Sequence, residues 1–393
     1  MRYFVEELAQ WFDSCDDARN FALVVPHRAA DCPALLYAIF SASARHISQR
    51  QAFNTADFLL HLPADFSVQS EVALEYQNLC ISHLMSLSGD ETEVQDENLL
   101  AAAVILRFYE EIDAPLVGVD DETYLQGTQV FLEAQANHAV VTRGLQNAAL
   151  WVGFRQEFRS AFIKQRPFRF DLGSCDSSTY GSFTSANDST WANRVIFHCA
   201  ETLIFCYGNE RHDPRRHARL FEYSDQWFES KPTSFDPIYD EPADPLGKEV
   251  FPHIWFLSDC HVTAIQHWHL ARILLAAFDP NTPKIGPNQK QEAIRRDFKI
   301  KDNIFRLCGI ACSNKTAPSL ITACMGISMC RWTKSCQRRP NCLLIVESGG
   351  DRINDKTEQN ALSEILIRTE RIHSLSTRKT QKELQEAWVW DVI

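Results

Sequence analysis

Residues 250–279 read VFPHIWFLSDCHVTAIQHWHLARILLAAFD, and the fold class turns on them. Pro252 suits a first helical turn, where its missing N–H has no partner to lose, and no glycine or proline follows until Pro280. Ala264, Trp268, Ala271, Leu275 and Phe278 recur at helical spacing; Val262, Ile265, His269, Ile273 and Ala276 form a second such row. Asp259, Thr263 and Gln266 leave only a narrow polar stripe. A helix apolar around most of its circumference needs neighbours on most sides. The stretch is therefore expected to be one long helix at the centre of an all-α assembly, with Trp255, Trp268 and Phe278 in the core.

The segments on either side repeat the helical period. Residues 2–13 place Phe4, Leu8, Trp11 and Phe12 on one face, and Pro33 opens a helix lined by Leu35, Leu36, Ile39, Phe40, Ser43 and Ile47. Residues 71–88 are expected to pack through Val72, Tyr76, Leu79, Cys80, His83, Leu84 and Leu87. After the acidic connector Gly89–Asn98 comes LLAAAVILRFYEEI, a largely buried helical run. Residues 122–137, 143–163, 191–207, 288–312, 316–330, 357–372 and 378–390 read as further helices, and 173–189 and 229–247 as irregular connections rich in Ser, Gly, Thr or Pro. No strand pair with alternating pattern and turn residues is evident. Arg331–Gly350 is out of character, basic and then briefly strand-like, and reads as an insertion or as translated intron sequence.

Composition removes several function classes. With 393 residues, 45% apolar and 23% charged, the chain has the proportions of a soluble globular protein. A net charge of −12 argues against a surface built to wrap nucleic acid, because such binding depends on Lys and Arg neutralising phosphates. The longest apolar run, Leu99–Leu106, is well short of the ~20 residues of a membrane span. Thirteen cysteines with no N-terminal signal pattern read as reduced, mostly buried thiols.

No candidate for chemistry gathers a full set of partners. Six cysteines fall within Cys308–Cys342, but only Cys308 and Cys312 approach the close pairing of a zinc site, and they sit beside Leu307 and Ile310 as expected core thiols. His267 and His269 lie about 240° and 80° around the helix from His261, so the three do not converge on a metal. Asp120-Asp121-Glu122 opens like the magnesium motif of all-α terpene cyclases, yet Tyr124 stands where the closing acid belongs. Arg211, Arg215, Arg216 and Arg219 form a basic patch that reads more readily as a solvated loop than as a nucleic-acid contact. No catalytic, cofactor-binding or metal residue is assigned.

Several stretches together resemble one family. They are RYFVEELAQWFD (2–13), FALVVPHRAADCPALLYAIFSASARHIS (21–48), LLAAAVILRFYEEID (99–113) and WVGFRQEFRSAFIKQRPFRFDL (151–172). With WF…F-x-P-I-Y (227–239), the central helix and RINDKTEQNALSEILIRTERIHSLST (352–377), they resemble the fungus-specific transcription factor domain of the second type. In ARCA-like regulators that domain follows a zinc binuclear-cluster module. The resemblance implies a non-enzymatic, nuclear, all-helical regulatory domain over 1–393, apart from the atypical 331–350. It implies contacts with transcription machinery or other regulators, a possible homodimer, and DNA binding only through a zinc module not in this chain. Rival readings are a DNA-binding factor whose zinc module is missing from this sequence, and an all-α enzyme with a pocket lined by the Trp and His residues of 255–269.

Overall fold

The structure, a computed structural model, describes residues 1–52, 68–87, 89, 93–113, 122–139, 144–174, 180–244, 249–283, 288–329, 356–373 and 375–389. The fold is all-α apart from a single two-stranded ribbon among these residues. The described chain divides into two units. The first comprises 1–157, 169–178 and 368–377; the second comprises 158–168, 179–367 and 378–393. The insertion at 331–350 and the acidic pair Asp120-Asp121 lie outside the described residues.

The helices of the first unit begin with Phe4–Leu8, wound as a π-helix, which runs into α1 (Ala9–Phe12) and a 3-10 turn, Asp13–Cys15. Then follow α2 (Asn20–Leu23), α3 (Val25–Arg28), α4 (Pro33–Ala52), α5 (Ser70–Leu87), α6 (Glu97–Asp113) and α7 (Thr123–Ala139). Phe12 is the hub of the N-terminal packing, stacked on Phe4 and Phe21 and edge-on to Phe108 at centroid distances of 5.9, 4.8 and 5.3 Å. Both Asp13 carboxylate oxygens accept backbone N–H groups at 2.9 Å, from Phe21 and Ala22, so the turn closes on the start of α2. Pro26 falls in the first turn of α3, where it breaks no hydrogen bond. In α5 the buried face is Ala73, Gln77, Cys80 and Leu84, while Val72 and Leu79 are exposed. The expected face was therefore rotated, because Ala73 and Gln77 fit against α4 and α7: Ser41 donates to the Ala73 carbonyl and Gln77 to the Tyr124 hydroxyl.

Helix α8 (Leu145–Lys164) begins in the first unit and ends in the second. The second unit continues with α9 (Asp188–Tyr207), α10 (Pro214–Ser230), β1 (Tyr239–Glu241), β2 (His253–Trp255), α11 (Asp259–Ala277), α12 (Gln289–Ser313) and α13 (Ser319–Ser328). Helix α14 (Lys356–His373) contributes to both units, and α15 (Arg378–Val389) belongs to the second. The central helix is real but starts at Asp259, with the Ser258 hydroxyl accepting the Cys260 N–H as its N-cap. Residues 253–257 instead alternate, with Ile254 and Phe256 buried and His253, Trp255 and Leu257 exposed. That is the period of a strand, and β2 pairs antiparallel with β1 in the register Tyr239↔Trp255. Trp255 is 49% exposed and is not core. Trp268 and Phe278 are half-buried.

What holds β2 in place is the end of α12. Asn314 donates to the carbonyls of Ile254 and Ile310, both at 2.8 Å, and its Oδ1 accepts the Phe256 N–H at 3.0 Å. The Ser313 hydroxyl accepts the Ile254 N–H. The Asn-x-Thr sequence at Asn314 is thus a buried structural cap. Gly309, within α12, lies so close to the segment entering β2 that a β-carbon there would stand 2.2 Å from the Pro252 carbonyl oxygen. The helix gives up about 1 kcal/mol of propensity at this glycine, and the ribbon gains its seat. Gly309→Ala is expected to destabilise the protein by about 2–3 kcal/mol despite its better helix propensity, since backbone must move. Asn314→Ala, which strands a buried N–H and a carbonyl, should cost about 3 kcal/mol. Urea unfolding of the two variants checks both, and an unchanged midpoint for either would contradict this account of the ribbon.

Candidate functional site

From Cys260 to Ala277 every side chain of α11 is buried except Trp268, Arg272 and Ala276, which are half-buried. These three are spaced i, i+4, i+8, a single stripe on one face. They form a wall of a cleft of about 580 Å³, within the range of small-molecule sites. The stripe anticipated from sequence (Asp259, Thr263, Gln266) is not the open one: Thr263 and Gln266 are buried. Gln266 is satisfied there by donating to the carbonyls of Leu307 and Ser319.

The wall is a ladder of alternating rings and cations. The Arg272 guanidinium lies over the Phe221 ring at 4.1 Å and over Trp268 at 5.4 Å; Trp268 stacks on Phe228 at 4.4 Å, and Lys231 sits over Phe228 at 4.9 Å. Each cation at the faces of these rings is drawn to their negative π-surface. Phe235, Ile254, Phe256, Ile265 and Ile310 supply an apolar lining. Of the charges around it, Arg272 is matched to Asp225, Lys231 to Asp236, and Arg306 to Asp240 and Asp302, while Lys299 is exposed to solvent. Phe298 lines the cleft at 68% exposure.

The histidines of α11 separate as the helical angles require. His261 meets the Asp188 carboxylate through Nε2 at 2.7 Å, His267 donates from Nδ1 to the Thr263 carbonyl, and His269 bonds Asn303 Oδ1 through Nδ1 at 2.8 Å. Only His269 lines the cleft. Burial lowers its imidazole to about 4. The thiols of this unit act as packing groups. Cys199 and Cys206 on α9 donate to the carbonyls of His267 and Leu274, and burial pushes both thiols well above their usual range. Of the Cys308–Cys312 pair, Cys308 is buried but Cys312 is exposed; Cys330, Cys336 and Cys342 lie outside the described residues. Among the described residues no three His, Cys, Asp or Glu side chains gather as a metal site.

The basic patch opens α10, where Arg216 pairs with Glu201 and Glu210 while Arg215 and Arg219 are exposed. The acidic connector is in part a cap: Asp96 accepts the Asn98 N–H at the start of α6, and Gln135 holds the carbonyls of Val94 and Asp96. No helix among the described residues is long and apolar enough to cross a membrane. Sequence reasoning missed the cleft residues of α12, although a signal was present. Ala293, Ile300, Ile304 and Leu307 mark the buried face, and Phe298 falls off it as a large ring with no core to enter.

His198 adds a titratable strain point. It is fully buried against Tyr223, and neither ring nitrogen has a hydrogen-bond partner among the described residues. Burial, reinforced by Arg216 and Arg272, lowers it to about 3 from an ordinary 6.5. A folded-state value below the unfolded one means that the unfolded chain binds the proton more readily, so stability is full above pH 6.5 and is lost as pH falls toward 3. At pH 5 the loss from His198 should be roughly 2 kcal/mol, and His269 adds a similar amount down to about pH 4. Denaturant midpoints measured between pH 7 and 4.5 should fall in the wild type and fall less steeply in His198→Leu. Parallel profiles would remove His198 from the account.

Against known proteins, the model of the fungal specific transcription factor domain matches residues 1–151. No curated protein and no solved structure matches the chain. The match covers most of the first unit's continuous stretch, including the segments 2–13, 21–48 and 99–113 that carry the resemblance, so over residues 1–151 the chain is similar to the fungal specific transcription factor domain.

Proposed function

We propose that residues 1–393 form the regulatory region of a fungal transcription factor of the zinc-cluster type, acting in the nucleus through protein contacts and without catalysis. The observation that carries this reading is the family match over residues 1–151. Its partners are components of the transcription machinery or other regulators, with a second copy of the chain among the candidates. The net charge of −12 is unsuited to holding DNA phosphates, so DNA is reached through a zinc module outside this chain. The basic patch is too small to reverse that balance. Its Arg216 is engaged with two glutamates.

The full chain fused to a heterologous DNA-binding domain should change the output of a reporter carrying that domain's site by several-fold. The unfused chain should give no salt-resistant, sequence-specific electrophoretic shift. Unchanged reporter output would remove the regulatory reading, and a specific shift by the unfused chain would remove the division of labour with a separate zinc module.

A further inference from the structure

We infer that the cleft beside α11 is a binding site for an uncharged, flat aromatic molecule bearing one O–H or N–H donor, held by His269 Nε2 and by Phe298. Three observations carry this, none of which depends on the regulatory reading. The first is a fixed acceptor. Asn303 donates its amide N–H to the Lys299 carbonyl at 2.7 Å, which turns its Oδ1 toward His269. His269 Nδ1 must then be the donor of the 2.8 Å bond, and the neutral ring presents Nε2 as a lone-pair acceptor. The residue is 96% buried, being 4% exposed, and Nε2 has no protein partner among the described residues. It is not among the atoms sealed from solvent without a partner, and the space that His269 lines is this cleft. A ligand that donates a hydrogen bond completes it; one that only accepts does not.

The second observation is the distribution of ring faces. Trp268 and Phe228 are already engaged, stacked on each other and approached by Arg272 and Lys231. Phe298 is 68% exposed and makes no ring contact among the described residues, so its face is available. A flat ring in a cleft lined by all three can stack on the unengaged Phe298 or meet a ring edge-on, the two favourable arrangements of aromatic groups. Third, Lys231, Arg272 and Arg306 are each paired with carboxylates around the cleft, and the remaining cation, Lys299, is exposed to solvent at its rim. A charged ligand would be desolvated with little net field to receive it, which selects a neutral one.

Naphthol and its methyl ether, titrated calorimetrically into the full chain at pH 7.5, test the site: the rings are alike and only naphthol donates. Naphthol should bind at one molecule per chain and about 10-fold tighter than the ether, the value of one hydrogen bond. In His269→Leu the two probes should bind equally. In Phe298→Ala, an exposed position whose loss leaves the core intact, both should weaken by a similar factor. Absence of naphthol binding at millimolar concentration, equal affinity of the wild type for both probes, or unchanged binding in Phe298→Ala would each overturn the assignment.

Discussion

The helix Asp259–Ala277 is enclosed by α9, α10, α12 and α13, and a helix so enclosed must find partners within the protein for every polar group it carries. Its composition answers that demand in unusual detail. Gln266 reaches two carbonyls on α12 and α13, His261 takes the Asp188 carboxylate and His269 takes Asn303. In return its own carbonyls receive Cys199, Cys206 and the imidazole of His217. The thiols at i and i+7 of α9 match carbonyls at i and i+7 of α11, so two helices with aligned periods share a seam of weak donors. Thr263 and His261 are the exceptions, the Thr263 hydroxyl and the His261 Nδ1 being buried with no hydrogen-bond partner among the described residues. Once the other directions are closed, Trp268, Arg272 and Ala276 are all that remains to face open space beyond the exposed Asp259 at the helix start, and the cleft follows from that exclusion.

How much of this was legible depended on whether the cause was local. Helical period is local, and α4, α6, α9, α12 and the body of α11 could be read from it. The π-helical turn at Phe4–Leu8 and the strand at His253–Trp255 could not be read that way. In the strand, Ile254, Trp255, Phe256 and Leu257 are all apolar, so the alternation of buried and exposed positions is invisible in side-chain type. Its seat is set by Gly309, Ser313 and Asn314, more than fifty residues away. The start signal at Ser258-Asp259 was present in the sequence and outweighed by the unbroken apolar run. The burial of Gln77 in α5 is a similar case, since its partner, the Tyr124 hydroxyl, lies on another helix.

The cleft was legible only as a location beside the central helix. Its composition comes from six elements: α10 and its C-cap give the outer rings and Lys231, the turn before β1 gives Phe235 and Asp236, β1 gives Asp240, β2 and its extension give Ile254 and Phe256, α11 gives the stripe, and α12 gives Phe298, Asn303 and Arg306. No sequence spacing brings those together. Electrostatic matching across the cleft mouth also has a structural role. Pairs such as Arg306 with Asp240 join α12 to β1, and Arg272 with Asp225 joins α11 to α10, so the cleft walls are tied at their rims. Such exposed pairs contribute little individually.

The division of the chain has a consequence for how it comes into being. The first unit is completed by 368–377, where His373 meets Trp11 edge-on at 4.8 Å and Thr377 bonds Glu370. A ribosome that has released the whole of residues 1–151 has not yet released the last piece of the unit they build. The N-terminal helices must therefore wait, partly formed, through synthesis of nearly all of the second unit, at ordinary rates a delay on the order of ten seconds or more. The family match thus ends at residue 151, while the unit that holds it is completed only at 368–377.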